Sequence, residues 1–111
     1  MSKRIYLSGA ITGTEDYMRR FEVAEDRLTA HGYSVVNPAK VNQMLPADTP
    51  YEVYMKMSLV MLDMCGAIYL MKDWEKSKGA NREYGYALGK HMEIIFEDDV
   101  ELKLTVSDRE G

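Results

Sequence analysis

The chain has 111 residues, 46% hydrophobic and 29% charged, with a formal net charge of −4. That length suits one compact domain with a modest core, and an acidic balance without any basic run argues against a DNA or RNA partner. The single cysteine, Cys65, excludes an internal disulfide, and there is no Cys/His cluster of the kind that binds zinc. Met1 to Arg4 lead into an apolar run too short for a signal peptide or membrane span, so a cytoplasmic location and no membrane partner are expected.

Ile5–Tyr6–Leu7 is a β-rich run ended by Ser8–Gly9, which predicts a strand entering a glycine-bearing loop, "SGAITGTED". From Glu15 the period changes. Tyr17, Phe21, Ala24 and Leu28 fall at i, i+4, i+7 and i+11, one face of an amphipathic helix. His31–Gly32 closes that helix, the glycine standing where a C-terminal cap needs left-handed backbone. Tyr33–Val36 reads as a second strand, and Ala39–Asp48 as a polar connection.

"TPYE" then offers Thr49 as N-cap, Pro50 in the first helical position and Glu52 three residues after the threonine, a capping box. The helix it opens is predicted to reach about Met64 and to bury Tyr51, Met55, Leu59 and Leu62. Ala67–Met71 reads as a buried strand. A third helix opens at Ser77 or Lys78, with Ala80, Tyr84, Ala87 and Leu88 on one face, and Glu93–Phe96 is a fourth strand. "VELKLTV", Val100–Val106, alternates as an edge strand does, before a frayed tail.

Strands alternating with helices predict one α/β domain of the Rossmann or flavodoxin-like kind over residues 1–111, its core at about 4–96. The expected sheet is mostly parallel, in order 2-1-3-4 with a possible fifth strand, and carries helices on both faces. Ligands of such sheets bind beyond the carboxyl ends of the strands where the winding reverses. Here that points to the loops Ser8–Thr14 and Met71–Gly79.

Glu83 follows just behind the second loop, among glycines, alanines and tyrosines. An ionised carboxylate there suits attack on, or charge stabilisation of, a sugar's anomeric carbon; it equally suits a helix dipole with no chemistry. In the first loop, Ser8 and Thr12 offer hydroxyls, while Gly9 and Gly13 let a ligand approach the backbone. The loop has neither GK[ST] nor GxGxxG, so the usual nucleotide motifs are absent. Tyr6 reads as site or core, and Trp74 as a stacking surface for a base or as a cover over apolar surface. Ser77 reads as an N-cap. Met55, Met57, Met61 and Met64 crowd one helix and cannot all face one core, which suggests a subunit interface or an adaptable pocket. His31 and His91 have no serine or cysteine partner in a suggestive place, so no hydrolase triad is expected.

With "IYLSGAITG" at the start and "WEKSKGANRE" later, the chain resembles the nucleoside 2-deoxyribosyltransferase superfamily over roughly Arg4–Phe96, and is similar to the 2'-deoxynucleoside 5'-phosphate N-hydrolases. The resemblance implies that Glu83 is the nucleophilic or catalytic glutamate and that Tyr6 lies near the substrate sugar. It also implies that Gly9 and Gly13 are the loop glycines, and that Ser77 and Gly79 meet the nucleotide's 5' end. Two positions depart from the pattern: the hydrolases' catalytic aspartate corresponds to Ser58 and a second aspartate to Gly66, leaving Asp63 as the candidate substitute. Their phosphate-binding serine and arginine correspond to Ala10 and Thr12.

The expected function is cleavage or transfer at the N-glycosidic bond of a 2'-deoxynucleoside or its monophosphate, as a hydrolase or transferase. Glu83, Tyr6 and Asp63 are the catalytic candidates; Ser8, Gly9, Thr12, Gly13, Trp74, Ser77 and Gly79 are the substrate-binding ones. No cofactor or metal is implied. The expected partners are a small nucleoside or nucleotide and further copies of the chain in a homo-oligomer, a dimer or larger. The alternative is a non-catalytic protein that binds a nucleotide or a nucleotide-derived signal.

Overall fold

A computed structural model describes residues 4–11 and 15–99. Four strands, β1 (Arg4–Ser8), β2 (Ser34–Val36), β3 (Ala67–Leu70) and β4 (Glu93–Phe96), form one parallel sheet in the order β2-β1-β3-β4. Helices α1 (Tyr17–Ala30), α2 (Pro38–Gln43), α3 (Tyr51–Asp63) and α4 (Lys78–Gly89) connect them. This is the expected single flavodoxin-like domain. The possible fifth strand, Val100–Val106, lies outside the described residues.

Alternation along the strands divides the core between the two faces of the sheet. Ile5, Leu7, Ala67 and Tyr69 point to one face, where Phe21, Ala24 and Leu28 of α1 cover them. Tyr6, Ile68 and Leu70 point to the other, against Leu62 of α3 and Ala87 of α4. Burying a side chain such as Phe21 contributes about 1.5–3 kcal/mol, so each face has several such anchors. α1 ends as its sequence predicts, with Gly32 at φ +91° receiving the chain.

Local expectations on three helices are corrected. The stretch read as a polar connection contains α2: Asn37 Oδ1 accepts from the Ala39 N–H at 3.0 Å and Pro38 takes the first helical position. The capping box before α3 does not form. The Thr49 hydroxyl donates instead to the Pro46 carbonyl at 2.6 Å, and no side chain caps the helix. α3 buries Met55 and Leu62 as expected, together with Ser58, and half-buries Leu59, whereas Tyr51 is exposed. On α4, Leu88 faces solvent and the buried face is Ala80, Glu83 and Ala87.

Candidate functional site

Glu83 lies on the inner face of α4 between two alanines, Ala80 three residues before it and Ala87 four after. Small neighbours let α4 approach the sheet closely, and the carboxylate reaches β1. There the Tyr6 hydroxyl donates to Oε2 at 2.6 Å and the Ser8 hydroxyl donates to Oε1 at 2.7 Å. Tyr6 and Ser8 share a face of β1 because side chains repeat every second residue along a strand. Ser58 of α3 is buried and lines the same pocket, and its hydroxyl favours the ionised forms of both Glu83 and Tyr6. Three helix and strand segments thus converge at Glu83, which is 7% exposed.

No basic side chain pairs with this carboxylate in the hydrogen bonds and ion pairs of the described residues. Burial therefore dominates and raises the Glu83 pKa above the ordinary carboxylate value, against the opposing effect of the Ser8, Tyr6 and Ser58 hydroxyls. Burial, reinforced by the neighbouring carboxylate, pushes Tyr6 well above its ordinary value, so its proton stays on the oxygen and in the bond to Glu83.

The carboxylate opens onto a pocket of about 280 Å³ at the carboxyl end of the sheet. Gly9 and Ile11 follow β1, Pro38 and Asn42 follow β2, and Ser77, Gly79 and Ala80 follow β3, so the pocket occupies the winding switch between β1 and β3. Tyr17, Tyr51, Tyr54 and Met55 form much of the remaining wall. Gly9 is needed for space: a Cβ there would stand 3.1 Å from the Met71 Cβ. Ser77 caps α4, its hydroxyl accepting from the Ala80 N–H at 3.1 Å. Beside the mouth, Lys78 and Arg82 stand over the Tyr51 ring at 5.3 and 5.7 Å, and Arg82 is paired with Glu52.

Tyr6, Ser8, Gly9, Ser77, Gly79 and Glu83 are thus brought together; Thr12 and Gly13 lie outside the described residues. Two expectations are corrected. Asp63 does not join Glu83: its side chain is 46% exposed, accepts from the Tyr86 hydroxyl at 2.6 Å and lies 3.8 Å from Lys90. The register of α3 causes this, since turning Ser58 inward carries Asp63 outward. Trp74 does not line the pocket either. Asp73, in the left-handed region at φ +68°, turns the chain into a 3-10 turn, Trp74–Lys76, that lays the indole against Tyr84 (ring centroids 4.9 Å apart) and Phe96 (6.2 Å). It covers apolar surface.

Asn42, Tyr17 and Tyr54 are wall residues that motif reading missed. Asn37–Pro38 signalled the helix that carries Asn42, but nothing local marked its side chain as part of a pocket. Among the described residues, no group of His, Cys, Asp and Glu could hold a metal ion, and no helix is long and apolar enough to cross a membrane.

A parallel sheet with a pocket at its switch point and a buried, hydroxyl-bonded glutamate in the wall defines a small flavodoxin-like domain. A family profile, the domain of unknown function DUF4406, matches residues 3–96, and the chain belongs to that family. Comparison with curated proteins gives no match.

Proposed function

We propose that the protein is an enzyme of the nucleoside 2-deoxyribosyltransferase-like kind, acting on the N-glycosidic bond of a 2'-deoxynucleoside or its monophosphate. The observation that carries this reading is the Glu83 carboxylate, buried at the pocket wall with each oxygen held by a hydroxyl from β1. As the C1'–N bond breaks, positive charge grows on the sugar, and a fixed carboxylate beside it stabilises that charge or closes on C1'. Tyr6 and Ser8 orient the carboxylate; Gly9, Ser77 and Gly79 leave room for the sugar and its 5' end. Water as acceptor gives hydrolysis, and a second base gives transfer.

The proposed assembly is a homo-oligomer joined through the outer face of α3. Val53, Val60 and Met64 are exposed there and Met57 half-buried, a 4-3-4 spacing of the kind with which identical helices pack together. The outward position of Asp63 favours a second reading, in which the same pocket binds a nucleotide or nucleotide-derived signal without cleaving it.

The deciding experiment is base release from 2'-deoxynucleosides and their monophosphates, with and without a second free base, for the wild type and Glu83→Ala. Release or exchange that vanishes in the variant supports the enzyme. Saturable binding by folded wild type with no turnover supports the second reading.

A further inference from the structure

The pocket combines one carboxyl group with an amide, hydroxyls and tyrosine rings. Among the described residues that line it, Glu83 is the only carboxyl group, and none is lysine, arginine or histidine. The Oδ1 of Asn42 is a buried acceptor with no hydrogen-bond donor among the described residues. Tyr17 and Tyr54 add aromatic wall, whose faces attract cations.

Two hydroxyls beside the carboxylate are committed to it: Tyr6 and Ser8 donate to its two oxygens. Asp63, the remaining candidate acid, is held outside by Tyr86 and Lys90. A neutral base departs from a sugar readily only when an acid protonates it, a contribution of roughly 10²–10⁴-fold. A base that is already cationic needs no such acid.

We propose, resting on the N-glycosidic reading above, that this pocket is built for N-glycosides whose leaving heterocycle is already a cation, a quaternised purine or a pyridinium. In the step, the C1'–N⁺ bond breaks and its electron pair passes to the ring nitrogen, which leaves as a neutral heterocycle. The positive charge moves to the sugar's C1' and ring oxygen, opposite the Glu83 carboxylate. Water then adds to C1' and its proton passes through Glu83 to solvent, so that the cationic glycoside and water yield the free sugar, the neutral base and one proton. The tyrosine faces hold the cationic ring, and Asn42 Oδ1 accepts from an N–H on it, whether an exocyclic amine or a carboxamide.

The test compares 7-methyl-2'-deoxyguanosine and nicotinamide 2'-deoxyriboside with neutral 2'-deoxyguanosine, each corrected for spontaneous loss, using the wild type, Glu83→Gln and Asn42→Ala. The expected result is release from at least one cationic substrate with kcat/KM about 100-fold or more above that of the neutral one. That release is lost in Glu83→Gln and reduced several-fold in Asn42→Ala, and the substrate cleaved tells purine from pyridinium. Glu83-dependent release from the neutral nucleoside at an equal or greater rate overturns this inference and leaves the N-glycosidic reading standing. No Glu83-dependent release from any substrate overturns both.

Discussion

Glu83 combines a buried carboxyl group with hydroxyl donors and no cation, and its pH behaviour follows. Its pKa is raised in the folded state above the unfolded value, so at intermediate pH the folded chain binds more protons than the unfolded one. The stability this group contributes is therefore full below the unfolded pKa and lost as pH rises through the folded one. Glu83→Gln removes the cost of ionising a buried acid. We expect it to melt no lower than wild type at neutral pH, with any advantage shrinking towards pH 4, as read by thermal unfolding at several pH values.

Tyr6→Phe deletes one hydroxyl bond that holds the Glu83 pKa down. If the ionised carboxylate is the working form, the acid limb of kcat/KM moves to higher pH in this variant, and an unmoved limb contradicts that role. The sequence marks both Tyr6 and Ser8 as candidates, but with Ser8 as a loop hydroxyl, whereas it ends β1 and shares a face with Tyr6. That Ser58 would face the pocket was not legible, because Ser58 and Asp63 stand about 140° apart around the helix and its rotation decides which faces inward.

Among the elements, α4 does most to build the site, and its start was legible. "WEKSKGANRE" carries Ser77, whose hydroxyl meets the Ala80 N–H. Ser77→Ala is expected to destabilise the fold by about 1 kcal/mol, the usual worth of a lost N-cap, measured by urea unfolding. The alanines flanking Glu83 also explain why an acid sits in a segment suited to close packing: they bring the helix near enough for its carboxylate to reach β1.

The start of α3 misled because "TPYE" has the residues of a capping box while the Thr49 hydroxyl prefers the nearby Pro46 carbonyl. α2 was missed for the opposite reason. Its six residues carry too little periodicity, and only Asn37–Pro38 announced it. The wall that Asn42 contributes went with it.

At the scale of the molecule, the parallel sheet, its order and the pocket at the switch point followed from the alternation of strands and helices, since few topologies satisfy right-handed crossovers. The contents of the pocket wall did not, because Tyr17, Asn42 and Tyr54 come from segments distant in sequence that only the folded chain brings together. The outer face of α3 carries the prediction about assembly. Val60 is 63% exposed in the centre of an apolar stripe, so Val60→Glu should leave the monomer fold intact while shifting an oligomer to monomer in light scattering. A wild type already monomeric at high concentration contradicts the proposed assembly.

The proposed function depends on the chemistry of one carboxylate. Its sharpest test is a time course of base release from the best-cleaved nucleoside, run side by side for wild type and for Glu83→Gln shown to be folded by its melting curve. The expected result is steady release by the wild type and a loss of about 10³-fold or more in the variant, the scale of removing a group that acts on the reacting atoms. Equal release by both proteins would contradict it.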